Sequence, residues 1–206
     1  CPSRTIVRSR SGSAAPAAHP KPETLQPALA KTQATPDVLG TALRLYQQRH
    51  YAEAADMLLA ICGDRQTAPA VLSLLTRALA NQGRLADALT WCERWIAADK
   101  VDPTCHYLHA MVVLEQGDAQ RARASLQRAV YLDYGFVLAH FALGNLARRC
   151  GKNAEAVKHF SNVQHLLRAF RADDPLPEAD GLTTGRLAET LASLTNSMMA
   201  SLKTLD

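Results

Sequence analysis

The sequence predicts an all-α protein, an array of about four helix-turn-helix units followed by a long C-terminal helix. Alanine and leucine dominate, aromatic residues make up only 5%, and β-branched residues are few, which favours helices over strands. Gly83, Gly117 and Gly151 follow one another at a strict interval of 34 residues. Apolar residues also recur at spacings of three and four. These observations together predict stacked helical hairpins.

Residues 1–34 precede the array and differ from it in composition. They are rich in Pro, Ala, Ser and basic residues and show little apolar periodicity, so they bury too little apolar surface to offset the entropy lost on ordering. We predict a flexible linker, extended where the prolines cluster. Residues 1–35 carry the whole net charge of +4. Because a nucleic-acid-binding domain carries its basic excess on the folded part, we expect no nucleic-acid partner.

Four units are predicted, at 35–68, 69–102, 103–136 and 137–170. Small residues recur where the helices of a unit approach closely, and larger apolar residues fill the space between them. The small set is Ala88, Ala110, Ala122, Gly144 and Ala156, and the larger set is Leu75, Leu79, Val113, Leu126, Leu143 and Phe160.

The sequence also marks where the helices end and begin. The repeated glycine can take the left-handed conformation that ends the first helix of a unit, and Arg49 replaces it in the first unit. Proline after a capping residue indicates a helix start. Starts of this kind are predicted at Thr35-Pro36, at Asp102-Pro103, and at Thr67 before Pro69.

Residues 171–182, RADDPLPEADGL, follow the array, and their prolines prevent a continuous helix. We predict a flexible connection whose acids do not belong to a pocket. Residues 183–206 are predicted to form one amphipathic helix that covers the last core face, since repeat arrays need a terminal element. The alternative is that this helix holds a partner or a second copy. The acids are Asp173, Asp174, Glu178 and Asp180, and the apolar stripe of the helix is Leu187, Leu191, Leu194, Met198, Leu202 and Leu205.

The 34-residue period, with the pattern L-G-x-x-Y followed by A-x-x-x-F, resembles the tetratricopeptide repeat, a helix-turn-helix unit. Residues 137–170 fit the pattern best, although Ala147 stands where tyrosine is usual and no unit has the closing proline. The resemblance implies a superhelix of such units.

The same resemblance implies a concave groove, lined by the first helix of each unit, that binds a protein partner. In this family the contacts usually come from the second, fifth, ninth, twelfth and thirteenth positions of a repeat. Carried over, the later positions are Leu43, Tyr46, Gln47, Arg77, Asn81, Tyr107, Met111, Leu114, Glu115, Phe141, Asn145, Arg148 and Arg149. The alternative for Tyr107, Met111 and Phe141 is contact with neighbouring helices. Chaperone tails are not expected, because Leu43 replaces an asparagine of chaperone-binding members.

Residues 131–192 carry a more specific resemblance. YLDYGFVLAHFALGNL and PEADGLTTGRL look like the C-terminal repeat region of bacterial CheR-type chemoreceptor methyltransferases, although Tyr134 and Gly135 depart from that wording. In that family a catalytic domain N-terminal to the repeats binds S-adenosylmethionine and methylates receptor glutamates. The resemblance implies that residues 1–34 link such a domain to the repeats.

By that resemblance the chain is a non-catalytic, cytoplasmic module that regulates or targets a protein-glutamate O-methyltransferase in chemosensory signal transduction. The implied partner is a receptor, a signalling protein or the catalytic domain itself. S-adenosylmethionine would belong to the catalytic domain, so no cofactor is expected in these residues.

Catalytic and metal sites are not predicted in these residues. The sequence has no G-x-S-x-G, no phosphate loop and no dinucleotide fingerprint. His106, His109, His140 and Cys105 could supply zinc ligands, but they lack the spacing of zinc motifs, and packing roles are expected instead. No apolar run approaches the roughly 18 residues of a membrane span, so no membrane insertion is expected.

A rival function class comes from Cys1, which is followed by a polar tether. This arrangement fits a lipid-anchored periplasmic repeat protein that acts as a scaffold for envelope assembly. Pro2 is a poor residue after an acylated cysteine, and an odd number of cysteines without a C-x-x-C pair suits a reducing compartment better.

Overall fold

The computed structural model describes residues 26–63 and 67–203, with side chains described over 37–63 and 67–198. Within these ranges the chain forms nine α-helices and one isolated β-bridge, which pairs Pro175 with Thr183. The all-α prediction is confirmed. The helices are α1 (Gln26–Gln47), α2 (Tyr51–Ile61), α3 (Pro69–Asn81), α4 (Leu85–Ala98), α5 (Pro103–Glu115), α6 (Ala119–Leu132), α7 (Val137–Arg149), α8 (Asn153–Leu167) and α9 (Thr184–Lys203).

By its contacts the chain divides between Thr35 and Pro36, and the packing of the helices belongs to the unit that begins at Pro36. Each helix from α2 to α9 packs against the next one along the chain, and α3 also contacts α5. Consecutive helices thus form stacked hairpins, and α3 and α5, the first helices of two adjacent hairpins, lie side by side.

The turns inside the hairpins use the left-handed conformation predicted for them. Gly83, Gly117 and Gly151 have φ angles of +75°, +86° and +72°. Arg49 occupies the equivalent place in the first hairpin at φ +67°. The backbone N–H of the residue after Arg49, His50, donates to Leu45 O at 2.9 Å, just as Arg84 N–H donates to Leu79 O at 3.0 Å after Gly83. The first turn therefore keeps the geometry of the others without a glycine.

Only one of the three predicted helix starts is confirmed. The Asp102 side chain accepts a hydrogen bond from Thr104 N at 2.8 Å and caps α5. The prediction for Thr67 is wrong: Pro69 is the first residue of α3, so the capping position falls on Ala68, which makes no side-chain cap bond.

The predicted start at Thr35-Pro36 is also wrong, because α1 begins at Gln26. The residues before Thr35 include Ala, Leu, Lys and Gln, which have high helix propensity, and they extend the helix into the segment assigned to the linker. The rest of that segment, residues 1–25, lies outside the described part.

Close packing within the last hairpin depends on Gly144. A Cβ atom on Gly144 would come within 2.6 Å of the Phe160 Cδ1 atom, well inside van der Waals contact. Phe160 is only 1% exposed. The missing side chain is therefore what allows α7 to approach α8 at this level.

The C-terminal helix covers the outer side of the last hairpin. α9 packs against α8, and its residues Leu187, Leu191 and Met198 are buried in the same apolar cluster as Phe160 and Val163. This agrees with the predicted capping role; the side chains of Leu202 and Leu205 lie outside the described residues. Across the described helices, none has the length and apolar character needed to cross a membrane.

Candidate partner-binding groove

The connection between α8 and α9 folds back onto the first helices of the hairpins. The residues that make this contact, Pro177–Leu182, are called here the acidic turn. Its two acids, Glu178 and Asp180, meet side chains of α1 and α3. The contact joins Tyr46 to Asp180, 134 positions apart in the chain.

Hydrogen-bond donors converge on both carboxylates. Asp180 accepts from Arg77 Nη1 at 2.7 Å and from the Tyr46 hydroxyl at 2.9 Å. Glu178 accepts from the Ser73 hydroxyl at 2.8 Å, and Arg77 Nη2 lies 3.7 Å from it. These donors of α1 and α3, with Asn81 behind them, are called here the donor cluster. They form a surface suited to carboxylates.

The hydroxyl of Tyr46 is held as a donor. Asn81 Nδ2 donates to Tyr46 Oη at 2.9 Å, and Tyr46 in turn donates to Asp180. Burial raises the pKa of Tyr46 far above its usual value, and the hydrogen bond and charge of Asp180 raise it further. Burial also raises the pKa of Tyr107 to about 12, helped by the charges of Glu178 and Asp180. Both phenols are therefore neutral at physiological pH.

The acidic turn is ordered by its own backbone and by an apolar anchor. Leu176 N–H donates to Leu182 O at 3.0 Å, and Thr184 N–H donates to Asp174 O at 3.0 Å. Leu176 is 4% exposed and belongs to the apolar cluster that includes α9. The prediction that the acids of this connection lie outside any pocket is wrong for Glu178 and Asp180, which line a cavity. The flexibility of the connection stays a prediction. Local composition indicated a loop, but the long-range bonds that fix it leave no local sequence signal.

The backbone of the acidic turn adopts an unusual conformation. Glu178 and Asp180 have positive φ angles of +59° and +47°, and Gly181 follows at +85°. Non-glycine residues rarely take this conformation, which costs of the order of 1–3 kcal/mol where it is imposed on them. The contacts with the donor cluster therefore have to offset the free-energy cost of this backbone conformation.

Beside the acidic turn lies a cavity of about 450 Å³ between α5 and α7. Its walls are mainly apolar, and Glu178, Ala179, Asp180 and Leu182 close one side of it. Among the predicted groove residues, the ones that line it are Tyr107, Met111, Leu114, Phe141, Asn145 and Arg149. The groove thus has a polar part at α1 and α3 and an apolar part at α5 and α7.

Nine of the thirteen predicted residues thus fall into two groups, the donor cluster and the cavity wall. Tyr46, Arg77 and Asn81 belong to the first. Leu43, Gln47, Glu115 and Arg148 are exposed and are in neither group. A role in partner contact stays a prediction for all thirteen residues.

The alternative role in helix packing also holds for the aromatic members. The Tyr107 ring lies 5.1 Å from the Phe136 ring, and Phe141 lies 6.1 Å from Phe160, measured between centroids. Tyr107 is buried, whereas Met111 and Phe141 are half-buried. These side chains therefore pack against the helices and form the cavity wall at the same time.

Sequence reasoning missed Ser73 and the two acids of the turn. Ser73 stands 34 residues before Tyr107 and occupies the same fifth position of its repeat, so the family pattern could have found it. Glu178 and Asp180 lie outside the repeats, and only the folded chain brings them to the groove.

The histidines considered as metal ligands serve in packing. His106 Nε2 lies 3.2 Å from Lys100 O, and His140 Nε2 lies 3.1 Å from Tyr134 O, one repeat later. Each ring can donate to the carbonyl six residues before it and join the preceding loop to the next helix. Among the described residues, no group of three or more His, Cys, Asp or Glu side chains is placed to hold a metal ion.

Comparison with known proteins identifies the architecture. A family model described as Tetratricopeptide repeat matches residues 39–103 and 107–175. MamA 41-end from Desulfovibrio magneticus RS-1 is similar at a TM-score of 0.56 and 21% identity, over 64% of this chain and 75% of that chain. A further crystal structure of MamA protein is similar at a TM-score of 0.56 and 15% identity, over 84% of this chain and 90% of that chain. YrrB, described as a tetratricopeptide protein with an unusual peptide-binding site, is similar at a TM-score of 0.51 and 16% identity. The match covers 63% of this chain and 66% of that chain.

At these identities the likeness to solved structures concerns the fold. No curated protein matches the chain by sequence.

Proposed function

The chain belongs to the tetratricopeptide-repeat family, and we propose that it is a non-catalytic interaction and regulatory module of a CheR-type receptor methyltransferase. Its task is to bind a protein partner in the groove. This partner is a receptor, a signalling protein or the catalytic domain of the same enzyme. The compartment that goes with this role is the cytoplasm.

The observation that carries partner binding is the composition of the groove. Side chains at the partner-contact positions of the repeats provide a donor cluster next to an apolar cavity of about 450 Å³. Few fixed polar groups beside an apolar wall are typical of peptide-binding sites.

The resemblance of residues 131–192 supports the link to methyltransferases. The stretch PEADGLTTGRL, which carries part of that resemblance, includes the acidic turn and the first residues of α9. The sequence motif that resembles the methyltransferases thus includes the segment that contacts the groove. A module that holds an enzyme beside its receptor raises the local concentration of methylation sites without taking part in the chemistry.

The upstream reading frame and a methylation assay test this proposal together. We expect a methyltransferase domain before residue 1, and we expect the parent enzyme with and without residues 36–206 to transfer methyl groups to receptor glutamates at different rates. The same enzyme on a free glutamate-containing peptide is the control, since the catalytic domain itself is unchanged. A short leader ending in a lipid-attachment motif upstream would instead favour the periplasmic scaffold.

A further inference from the structure

We propose that the groove recognises an acidic segment of its protein partner, and that the chain's own acidic turn occupies this site until the partner displaces it. The inference rests on the proposed use of the groove for partner binding and names the chemistry of the ligand. The ligand carries two carboxylates separated by one residue, next to an apolar side chain.

The chemistry of the ligand follows from what already occupies the site. Ser73 serves one carboxylate, Tyr46 serves the other, and Arg77 lies between the two. The Arg77 side chain is only 21% exposed. A guanidinium so enclosed needs anionic partners, because an uncompensated buried charge is costly. The site therefore selects carboxylates, whichever chain supplies them.

The acidic turn does not use all that the site offers. The Nε atom of Arg77 is buried and has no hydrogen-bond partner among the described residues. Glu178 lies 3.7 Å from Arg77 Nη2, longer than a charge-assisted hydrogen bond. A carboxylate free to bind the guanidinium in a two-point manner would satisfy donors that the turn leaves incompletely paired.

Two features make the acidic turn replaceable. Its acids hold positive φ angles of +59° and +47°, a strain that release would remove. The Asp180 side chain is 50% exposed, so water can solvate its carboxylate when another anion takes its place beside Arg77. Next to the acids, the cavity between α5 and α7 has room for an apolar side chain that Ala179 does not supply.

A peptide titration tests the proposal. The probe is a fluorescein-labelled peptide with the chain's own sequence DPLPEADGLTT. Its control is DPLPQANGLTT, in which amides replace the two acids that correspond to Glu178 and Asp180 and the first aspartate is kept. Binding is followed by anisotropy at peptide and protein concentrations up to about 1 mM, where weak complexes are still detected.

The decisive variant is Glu178→Ala with Asp180→Ala, which removes the internal competitor. If the turn fills the groove in nine-tenths of the molecules, removing its acids should strengthen the apparent affinity for the probe about tenfold. The reason is that the apparent affinity scales with the fraction of molecules whose groove is free. We expect that gain for the acidic probe and no binding of the amide probe. Adding Arg77→Gln should abolish the gain.

The matched control is Asp173→Ala with Glu189→Ala, which removes the same charge at exposed sites outside the groove. Should this control gain as much as the decisive variant, net charge and not site release would explain the effect, and the proposal would fail. It would fail equally if the released groove did not bind the acidic probe, or if wild type bound it just as tightly.

Circular dichroism checks that each variant folds, and Asp180→Asn alone repeats the titration with a milder change if the double variant does not. The methylation assay above has an independent readout. If the peptide does not bind but residues 36–206 still change the methylation rate, only the proposal of an acidic ligand is overturned. If the peptide binds but the methylation rate does not change, only the proposed role in a methyltransferase is overturned.

Discussion

At the scale of single residues, Arg49 stands out because a side chain occupies a turn position that three other hairpins give to glycine. Its φ of +67° is close to the +75°, +86° and +72° of Gly83, Gly117 and Gly151. In this conformation the Cβ atom of an L-residue approaches the following carbonyl oxygen, at a cost of roughly 1–2 kcal/mol. The first hairpin therefore closes at a cost that the others avoid.

Replacing Arg49 by glycine should stabilise the protein. We expect Arg49→Gly to raise the free energy of unfolding by about 0.5–1 kcal/mol, less than the full backbone cost because glycine also gains entropy in the unfolded chain. Urea unfolding followed by circular dichroism measures the change. Gly117→Arg is the reverse control and should lower stability, since space around Gly117 is open and only its φ of +86° opposes the side chain. Equal stability of Arg49→Gly and wild type would contradict the argument.

At the scale of helix pairs, the last hairpin shows how one missing methyl group sets the distance between two helices. Phe160 of α8 fills the space that a side chain at position 144 of α7 would need. Phe160 is itself buried within the apolar cluster, so its ring can move away only by displacing neighbours that are close-packed.

We expect Gly144→Ala to destabilise the protein by about 1–3 kcal/mol, the usual cost of overpacking a core. Gly40→Ala is the matched control, because Gly40 also lies in a helix but nothing is within 4 Å of its Cβ position. That change should be neutral or stabilising by up to about 1 kcal/mol from helix propensity alone. Adding Phe160→Leu to Gly144→Ala should recover part of the loss; if it does not, the clash is not the cause.

The same helix pair brings together two histidines, the buried His140 and the half-buried His159, whose charged forms are disfavoured. His140 Nδ1 and His159 Nδ1 are 3.2 Å apart. Burial lowers the pKa of each ring from 6.5, and proximity to His140 lowers the pKa of His159 further, although Glu155 partly opposes this. Two protonated rings at this distance would repel each other.

Stability should therefore fall in mild acid. A base with a lowered folded-state pKa is neutral in the folded protein while it takes up a proton in the unfolded chain, so its contribution is complete above pH 6.5 and is lost as the pH falls below that value. We expect the Tm of wild type to fall between pH 7.5 and pH 5 more than that of His159→Gln. His165→Gln, at an exposed histidine of the same helix, is the control. A parallel decline in all three proteins would remove the histidine pair as the cause.

At the scale of the whole molecule, the acidic turn links parts that a repeat array would leave independent. In such arrays each unit contacts only its neighbours, and stability is nearly a sum of local terms. Here Tyr46 of α1 and Arg77 of α3 bind a segment that follows α8. The described part of the array is therefore closed by a long-range connection.

Breaking this connection should loosen the first hairpins selectively. In Glu178→Ala with Asp180→Ala we expect backbone amides of α2 and α3 to exchange hydrogen faster than in wild type, whereas amides of α6 should change less. Hydrogen exchange followed by mass spectrometry measures this difference, since local opening is reported segment by segment. Uniform acceleration over all helices would indicate general destabilisation instead.

The hairpins can be predicted from the sequence because each residue that defines them repeats at a fixed interval and acts locally. Gly83 ends a helix by its own φ, and Asp102 caps one by a bond two residues away. The acidic turn cannot be predicted in this way. Its position depends on Tyr46 and Ser73, more than a hundred residues earlier, and such pairs leave no periodic trace in one sequence. Most side chains of the donor cluster and many of the cavity wall could thus be predicted, and the acidic turn that meets them could not.

Repeat proteins commonly lengthen or shorten by whole units during evolution, because a duplicated hairpin stacks as well as the original did. The hydrogen bond from Tyr46 to Asp180 can form only when the array has its present number of hairpins. Inserting one extra hairpin between α4 and α5 would carry Tyr46 and Arg77 away from the acids by the thickness of a unit. Descendants of this chain are thereby confined to one array length for as long as the turn remains in its groove.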